Sequence, residues 1–192
     1  MDTPTLILVL GAAGSGKTTF AQHLVPKLGC AYLNTDPIAD IFFPGDRDSP
    51  TYKAANPSIY RALYDIAFAN LKIGNSVLLD APHVAQMRDP AWYAWISEET
   101  DRLAARLRII RCFSDAETLR NRLQSRSEAR DANKLSNWAE HIHDEPTRPP
   151  ILLPHIEIDT REDMSRNLAL AMDYFAGPSP LPTAGIVSPT RR

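Results

Sequence analysis

Gly11-Ala12-Ala13-Gly14-Ser15-Gly16-Lys17-Thr18 is the stretch that decides the reading of this chain. It runs glycine, four residues, then Gly-Lys-Thr, the spacing of a phosphate-binding loop. A triphosphate must be held by many donors without a wall of bulky side chains. Gly11, Gly14 and Gly16 lack Cβ, so the backbone can curl and aim its N–H groups inward. A helix starting after them would present the positive end of its dipole to the same phosphates. Lys17 then reaches the β- and γ-phosphates, and the Thr18 hydroxyl suits a Mg²⁺ ligand. The candidate nucleotide-binding set is Gly11, Ala13, Gly14, Ser15, Gly16, Lys17, Thr18 and Thr19. A Gly-rich turn would share the glycines but not the flanks. Thr5 to Leu10 is an apolar run of strand length, and Phe20, Leu24 and Leu28 follow at helical spacing.

Further out, the pattern predicts strands at Cys30–Asn34, Ser76–Asp80, Leu107–Phe113 and His155–Asp159. Between them it predicts helices. One opens at Asn56-Pro57, with Ile59, Leu63, Ile66 and Leu71 as its core stripe and Gly74 as its stop. One opens at Asp89-Pro90 with Trp92, Trp95, Ile96 and Leu103 facing the core. One starts with a capping box at Ser114-Asp115-Ala116-Glu117. The last covers Asp163–Phe175 with Met164, Leu168, Met172 and Phe175 inward. Residues 37–56, rich in Pro, Gly and Asp, read as irregular. Strands alternating with helices give an α/β fold, a three-layer αβα sandwich with a five-stranded parallel sheet. The expected domain is 1–177 with a lid at about 114–135, followed by an aperiodic Pro/Ser/Thr-rich tail, 178–192, that reads as disordered.

The chain has 192 residues and a formal net charge of −2, so no global basic field draws it to nucleic acid or membrane. Among its basic residues 16 are arginine and 5 lysine, which suits phosphate gripping and equally a GC-rich genome. Cys30 and Cys112 have neither metal nor disulfide spacing, the usage of reduced thiols in a cytoplasmic protein. Leu6 to Ala13 is apolar like a leader peptide, but it lacks a basic start and runs into Gly-Lys-Thr. No stretch is long enough to span a bilayer.

In a parallel sheet, ligands sit beyond the carboxyl ends of the strands. Asp36 lies past the second strand and Asp80 closes the third. Two acids delivered to a bound triphosphate suit metal holding, by Asp80, and proton abstraction from an acceptor, by Asp36. His83, in Asp80-Ala81-Pro82-His83, reads as a substrate contact or a structural loop histidine. Arg122, Arg126 and Arg130 fall at i, i+4 and i+8, which predicts one basic helix face without matching acids and hence an anionic ligand. Asn133-Lys134-Leu135-Ser136 is similar to the guanine-reading Asn-Lys-x-Asp but lacks its acid, which argues against GTP.

Together these residues resemble the P-loop kinase group of small phosphotransferases, which includes AAA-type zeta toxin-like kinases, polynucleotide 5′-kinases and antibiotic phosphotransferases. The match rests on Gly11–Thr18, Thr35-Asp36, Val77-Leu78-Leu79-Asp80-Ala81, the arginines Arg120, Arg122 and Arg126, and Ile158-Asp159-Thr160, and it covers residues 5–175. The resemblance implies that Asp36 binds or deprotonates an acceptor hydroxyl. It implies that the lid arginines clamp ATP phosphates, and that Asp159-Thr160-Arg161 lies near the adenine. The expected activity is ATP- and Mg²⁺-dependent transfer of the γ-phosphate to a small-molecule hydroxyl. Lys17, Asp36, Arg122 and Arg126 would be catalytic, Arg120 and Thr160 would assist nucleotide binding, and Thr18 and Asp80 would hold metal. Arg47, Tyr52, Lys53, Tyr60 and Arg61 would shape the acceptor pocket. The rivals are a polynucleotide 5′-hydroxyl kinase, an ATP-binding regulatory module and an ATPase. The expected assembly is a monomer or weak homodimer.

Overall fold

The first strand, β1 (Thr5–Leu10), is buried along its whole length and splits its side chains between two cores. Leu6, Leu8 and Leu10 face one cluster, and Ile7 and Val9 face the other. This period of two is what a strand covered on both sides requires. The computed structural model describes residues 3–44, 47, 49–144 and 151–177. Within them five strands form one parallel sheet in the order β2-β3-β1-β4-β5, with β2 at Ala31–Asn34, β3 at Val77–Asp80, β4 at Arg106–Phe113 and β5 at Ile156–Asp159. The expected α/β architecture with five parallel strands is present, each strand within a residue or two of its reading. The tail 178–192 lies outside the described residues.

Helices α1 (Lys17–Leu28) and α8 (Met164–Ala176) cover the Ile7 face through Phe20, Leu24, Leu168 and Ala171. Helices α3 (Pro50–Lys72) and α4 (Pro90–Arg102) cover the other face through Leu63, Tyr64, Leu71, Trp92 and Ile96. Asp89 caps α4 by accepting from the Ala91 N–H, as the sequence suggested. Helix α5 (Ala116–Arg126) is capped by Asp115, which accepts from the Thr118 N–H, one residue past the Ser114 that the expected capping box puts there.

Much of 37–56, expected to be irregular, is helical: 37–42 and 50–56 lie in two helices. Asn34 Oδ1 accepts from the Asp36 N–H and starts α2 (Thr35–Phe42). Ser49 Oγ accepts from the Tyr52 N–H and, with Pro50 in the first turn, starts α3 seven residues before the expected Asn56-Pro57. Asn56 instead accepts from the Tyr52 hydroxyl, and Pro57 sits inside the helix. Two inward assignments also fail. Ile66 is 45% exposed and Met172 is 37% exposed, because Tyr64, Ala67 and Ala171 hold the buried faces of their helices. Beyond α5, a short 3₁₀ turn at Ala129–Asp131 leads into α6 (Ala132–Ser136) and α7 (Trp138–Asp144).

His83 is fully buried between these layers. Its Nε2 lies 2.6 Å from the Tyr64 hydroxyl and its Nδ1 lies 3.0 Å from the Ala81 carbonyl oxygen. A carbonyl only accepts, so Nδ1 carries the proton and Nε2 accepts from Tyr64. Tyr60 and Trp92 rings pack around the imidazole. Burial, helped by the nearby Lys17 charge, lowers the His83 pKa to about 4. The unfolded chain protonates this residue near its ordinary value of 6.5. Stability from His83 is therefore complete above that value and is lost as pH falls through the window down to about 4. The loss across that window is expected to be about 3 kcal/mol. Asn tolerates the positive φ of 53° at this position. Denaturant titrations of wild type and His83→Asn at several pH values should show this acid-dependent loss in the wild type alone. Parallel pH profiles for the two proteins would show that His83 does not titrate this way.

Candidate active site

The carboxyl ends of β1, β2 and β3 and the start of α1 converge on one cleft. The phosphate loop turns away from β1 at Gly11, whose N–H donates to the Pro82 carbonyl at 3.3 Å. A Cβ on Gly11 would lie 2.3 Å from the Cys112 carbonyl oxygen, so only glycine allows the loop to rest on β4. The loop is then fixed from the far side of the sheet. Thr160 Oγ1 donates to the Ser15 carbonyl at 2.8 Å. Arg122 Nη1 donates to Thr160 Oγ1 at 2.7 Å and to the Gly14 carbonyl at 3.3 Å, and its Nη2 donates to the Thr160 carbonyl at 2.9 Å.

Asp80 ends β3 almost without exposure, at 1%. Its Oδ2 accepts from the Tyr32 hydroxyl at 2.9 Å and from Asn34 Nδ2 at 3.1 Å. Burial raises its pKa, and Lys17 with the Thr18 and Tyr32 hydroxyls draws it part of the way back. Its other oxygen, Oδ1, is buried and accepts no hydrogen bond. An orphaned carboxylate oxygen beside the Thr18 hydroxyl is chemistry that a hard divalent cation satisfies. The residues present thus fit Mg²⁺. No cluster of three or more His, Cys, Asp or Glu side chains suited to an all-protein metal site occurs among the described residues.

Asp36 opens α2 and is 34% exposed at its side chain. Arg130 Nη1 lies 2.9 Å from Asp36 Oδ2, and Arg47 Nη2 lies 3.8 Å from Asp36 Oδ1. Asp131, fully buried, pairs with Arg126 through Nε and with Lys134 Nζ at 3.3 Å. Burial alone would raise the Asp131 pKa, but the Arg126 hydrogen bond and the charges of Arg126 and Lys134 hold it below the usual carboxylate range.

Two cavities open here. One, of about 410 Å³, is lined by the loop residues Gly14, Gly16, Lys17, Thr18 and Thr19, and by Arg122, Arg126, Thr160 and Met164. The other, of about 370 Å³, holds Thr35, Asp36, Arg47, Tyr52, Lys53, Tyr60, Arg130 and Lys134 on its walls. Lys17 and Arg126 line both, so the cavities meet at those two cations. The sequence placed Lys17, Thr18, Asp36, Asp80, Arg122, Arg126 and Thr160 at this cleft, and the structure brings them together.

Other expectations need correction. Arg120 is exposed on α5 and lines neither cavity. Arg61 turns outward to pair with Asp65 at 2.9 Å. Arg122, Arg126 and Arg130 do not share a helix face, because Ser127 takes a left-handed conformation (φ 51°) and ends α5. The stripe also has matching acids: Arg126 meets Asp131, and Arg130 meets Asp36, Asp40 and Glu128. His83 contacts the core and not the cleft. Tyr32, Asn34, Asp131 and Lys134 were missed. The alternation that puts Tyr32 and Asn34 on one face of β2, with Asn34 opposite Asp80 in register, was the available signal for the first two.

The AAA domain family matches residues 6–144, most of the chain. The chain belongs to that family. Solved structures with the same fold include a putative kinase from Chloroflexus aurantiacus, 20% identical, with a TM-score of 0.68 over 92% of this chain and 98% of that one. A sugar kinase from Janibacter sp. is 18% identical, with a TM-score of 0.66 over 90% and 95%. The Mycobacterium tuberculosis APS kinase CysC, in complex with AMPPNP and APS, is 16% identical, with a TM-score of 0.61 over 92% and 100%. No curated protein matches this chain in sequence. No helix among the described residues is long and apolar enough to cross a membrane.

Thr160→Val keeps the side-chain shape and removes the hydroxyl that joins Ser15 to Arg122. Nucleotide affinity should fall about five- to tenfold, the worth of one or two hydrogen bonds, with little change in Tm. Titration with an ATP analogue measures this. Unchanged affinity would mean that the loop keeps its shape without the Thr160 brace.

Proposed function

We propose that this protein is an ATP- and Mg²⁺-dependent kinase that phosphorylates a hydroxyl group of a small molecule. The observation that carries this reading is the meeting of two cavities at Lys17 and Arg126, with the phosphate loop in one and Asp36 in the other. An in-line transfer needs a donor phosphate and an acceptor hydroxyl on opposite sides of shared cations. The kinases among the fold neighbours support a phosphotransferase of this type.

In this reading the loop amides and Lys17 hold the phosphates of ATP. The acceptor oxygen attacks the γ-phosphorus, and the bond from that phosphorus to the β,γ-bridging oxygen breaks to release ADP. The hydroxyl proton passes to the Asp36 carboxylate. Arg126, held by Asp131 from behind, faces the charge that develops on the transferring group. Arg122 acts mainly by holding Gly14 and Thr160. Thr18 and Asp80 would hold Mg²⁺, which neutralises phosphate charge when bound. A small molecule is favoured over a nucleic-acid 5′ end, because Trp92 and Trp95 pack into the core and offer no stacking platform.

Lys17→Ala should abolish transfer and weaken ATP binding without unfolding the protein, since Lys17 is only half-buried and its loss opens no core cavity. Unchanged turnover would remove the basis of the reading. Transfer is measured with γ-labelled ATP against a panel of hydroxylated metabolites, and an ATPase would turn over without any of them.

Asp36 and Asp80 should separate under a Mg²⁺ titration at saturating ATP. Asp36→Asn should slow transfer by roughly 10²- to 10⁴-fold at every Mg²⁺ concentration, the usual worth of a positioned general base. Asp80→Asn should shift the Mg²⁺ requirement upward and recover when more metal is supplied. Rescue of the Asp36 variant instead would exchange the two roles.

A further inference from the structure

Six cationic side chains, Lys17, Arg47, Lys53, Arg126, Arg130 and Lys134, line the cavity beside Asp36, and among the described residues Asp36 is its one acidic lining residue. Phosphoryl transfer accounts for Lys17 and Arg126, where the two cavities meet. It does not account for the cations on the far walls. Like charges gathered around about 370 Å³ repel unless anions compensate them.

The compensation has two layers. Behind the wall, Asp131 is fully buried and holds Arg126 and Lys134. That acid is enclosed and stays in place. At the rim, Arg130 contacts Glu128 Oε2 at 2.7 Å, Asp36 Oδ2 at 2.9 Å and Asp40 Oδ2 at 3.5 Å, and Arg47 contacts Asp40 Oδ1 at 2.5 Å. The Asp36 and Asp40 side chains remain 34% and 45% exposed. Arg130 and Arg47 are only 13% and 10% exposed, so these are half-buried pairs in which the acids, not the arginines, face water. A guanidinium can donate the same fork of N–H groups to another oxyanion.

We infer that the acceptor carries an anionic group of its own, a carboxylate, sulfate or phosphate, which Arg130 and Arg47 bind. This deepens the kinase reading and rests on it. Without acceptor, Asp36 and Asp40 stand in for that anion. With acceptor, the substrate's anion takes the arginines, and Asp36 is released towards the hydroxyl. A neutral polyol would leave Arg130 on Asp36 and compensate none of the charge.

The test uses the full chain saturated with a non-hydrolysable ATP analogue and Mg²⁺, so that the phosphate loop is filled. Inorganic phosphate and, separately, malonate are then titrated by calorimetry. One saturable site is expected, weakened about tenfold by Arg130→Gln and likewise by Arg47→Gln, with analogue affinity intact. Two variants guard against misfolding of either one. No saturable site, or a site indifferent to both variants, overturns the inference. Transfer from γ-labelled ATP to glycerol against glycerate, and to glucose against glucose 6-phosphate, separates this inference from the kinase reading. Label on the charged members alone supports both. Label on neutral and charged members alike keeps the kinase and sinks the inference. Label released only as inorganic phosphate, whichever alcohol is present, sinks the kinase reading while the calorimetry still decides the anion site.

Discussion

The contact between the Gly11 backbone and the Cys112 carbonyl sets the position of everything else in the cleft. No side chain fits in that gap, so the loop begins in van der Waals contact with β4. The strand is itself fixed between β1 and β5. From that seat, Thr160 and Arg122 bind the loop from the β5 side. Both staples use carbonyl oxygens of the loop, at Ser15 and Gly14. They consume acceptors and leave amide donors for an anion. A loop pinned by its carbonyls is organised before any phosphate arrives, so ligand binding does not have to meet the cost of ordering it.

The same logic extends to the two acids through Asn34. Its Oδ1 caps α2, the helix that carries Asp36, and its Nδ2 donates to Asp80. One amide side chain thus fixes the spacing between the acid assigned to metal and the acid assigned to the acceptor. Tyr32, two residues earlier on the same face of β2, holds the same Asp80 oxygen. Both partners crowd onto Oδ2, and this leaves Oδ1 buried without a hydrogen bond. A buried orphan of this kind is costly in a resting protein, and a bound cation removes that cost.

The strands, the loop and the cap at Asp89 were legible because each rests on a local rule: alternation, glycine spacing, or an acid before a helical run. The start of α5 was legible to within one residue, with Asp115 as its cap in place of Ser114. The helices within 37–56 were not legible, since the Pro, Gly and Asp content of that stretch suggests turns. Asn34 and Ser49 nonetheless cap two helices there, and an eight-residue helix leaves too short a pattern to count. Arg130 was misplaced for a related reason. Four-residue spacing continued the helix on paper, but Ser127 closes it, and the chain returns Arg130 to Asp36 from a separate turn. Asp131 carried no signal at all. Its burial depends on where Arg126 and Lys134 come to rest, which is a property of the tertiary structure.

Beside the wall of cations, His83 is kept neutral, mainly by burial and further by the Lys17 charge. Pro82 and Val84 line the cavity beside Asp36 on either side of it, while its own ring points into the core. A protonated imidazole there would add one more positive charge behind Lys17, Arg126 and Arg130. Burial and the Lys17 charge both oppose that proton, and the Tyr64 hydroxyl takes the ring nitrogen that would otherwise accept it. The core therefore supports the cavity without adding to its repulsion. What repulsion remains is divided between Asp131, which is enclosed, and Asp36 and Asp40, which are open to water. Stability rests on the first, and in the proposed reading ligand exchange rests on the other two. This is how the cleft can be strongly cationic towards a substrate and still belong to a stable fold.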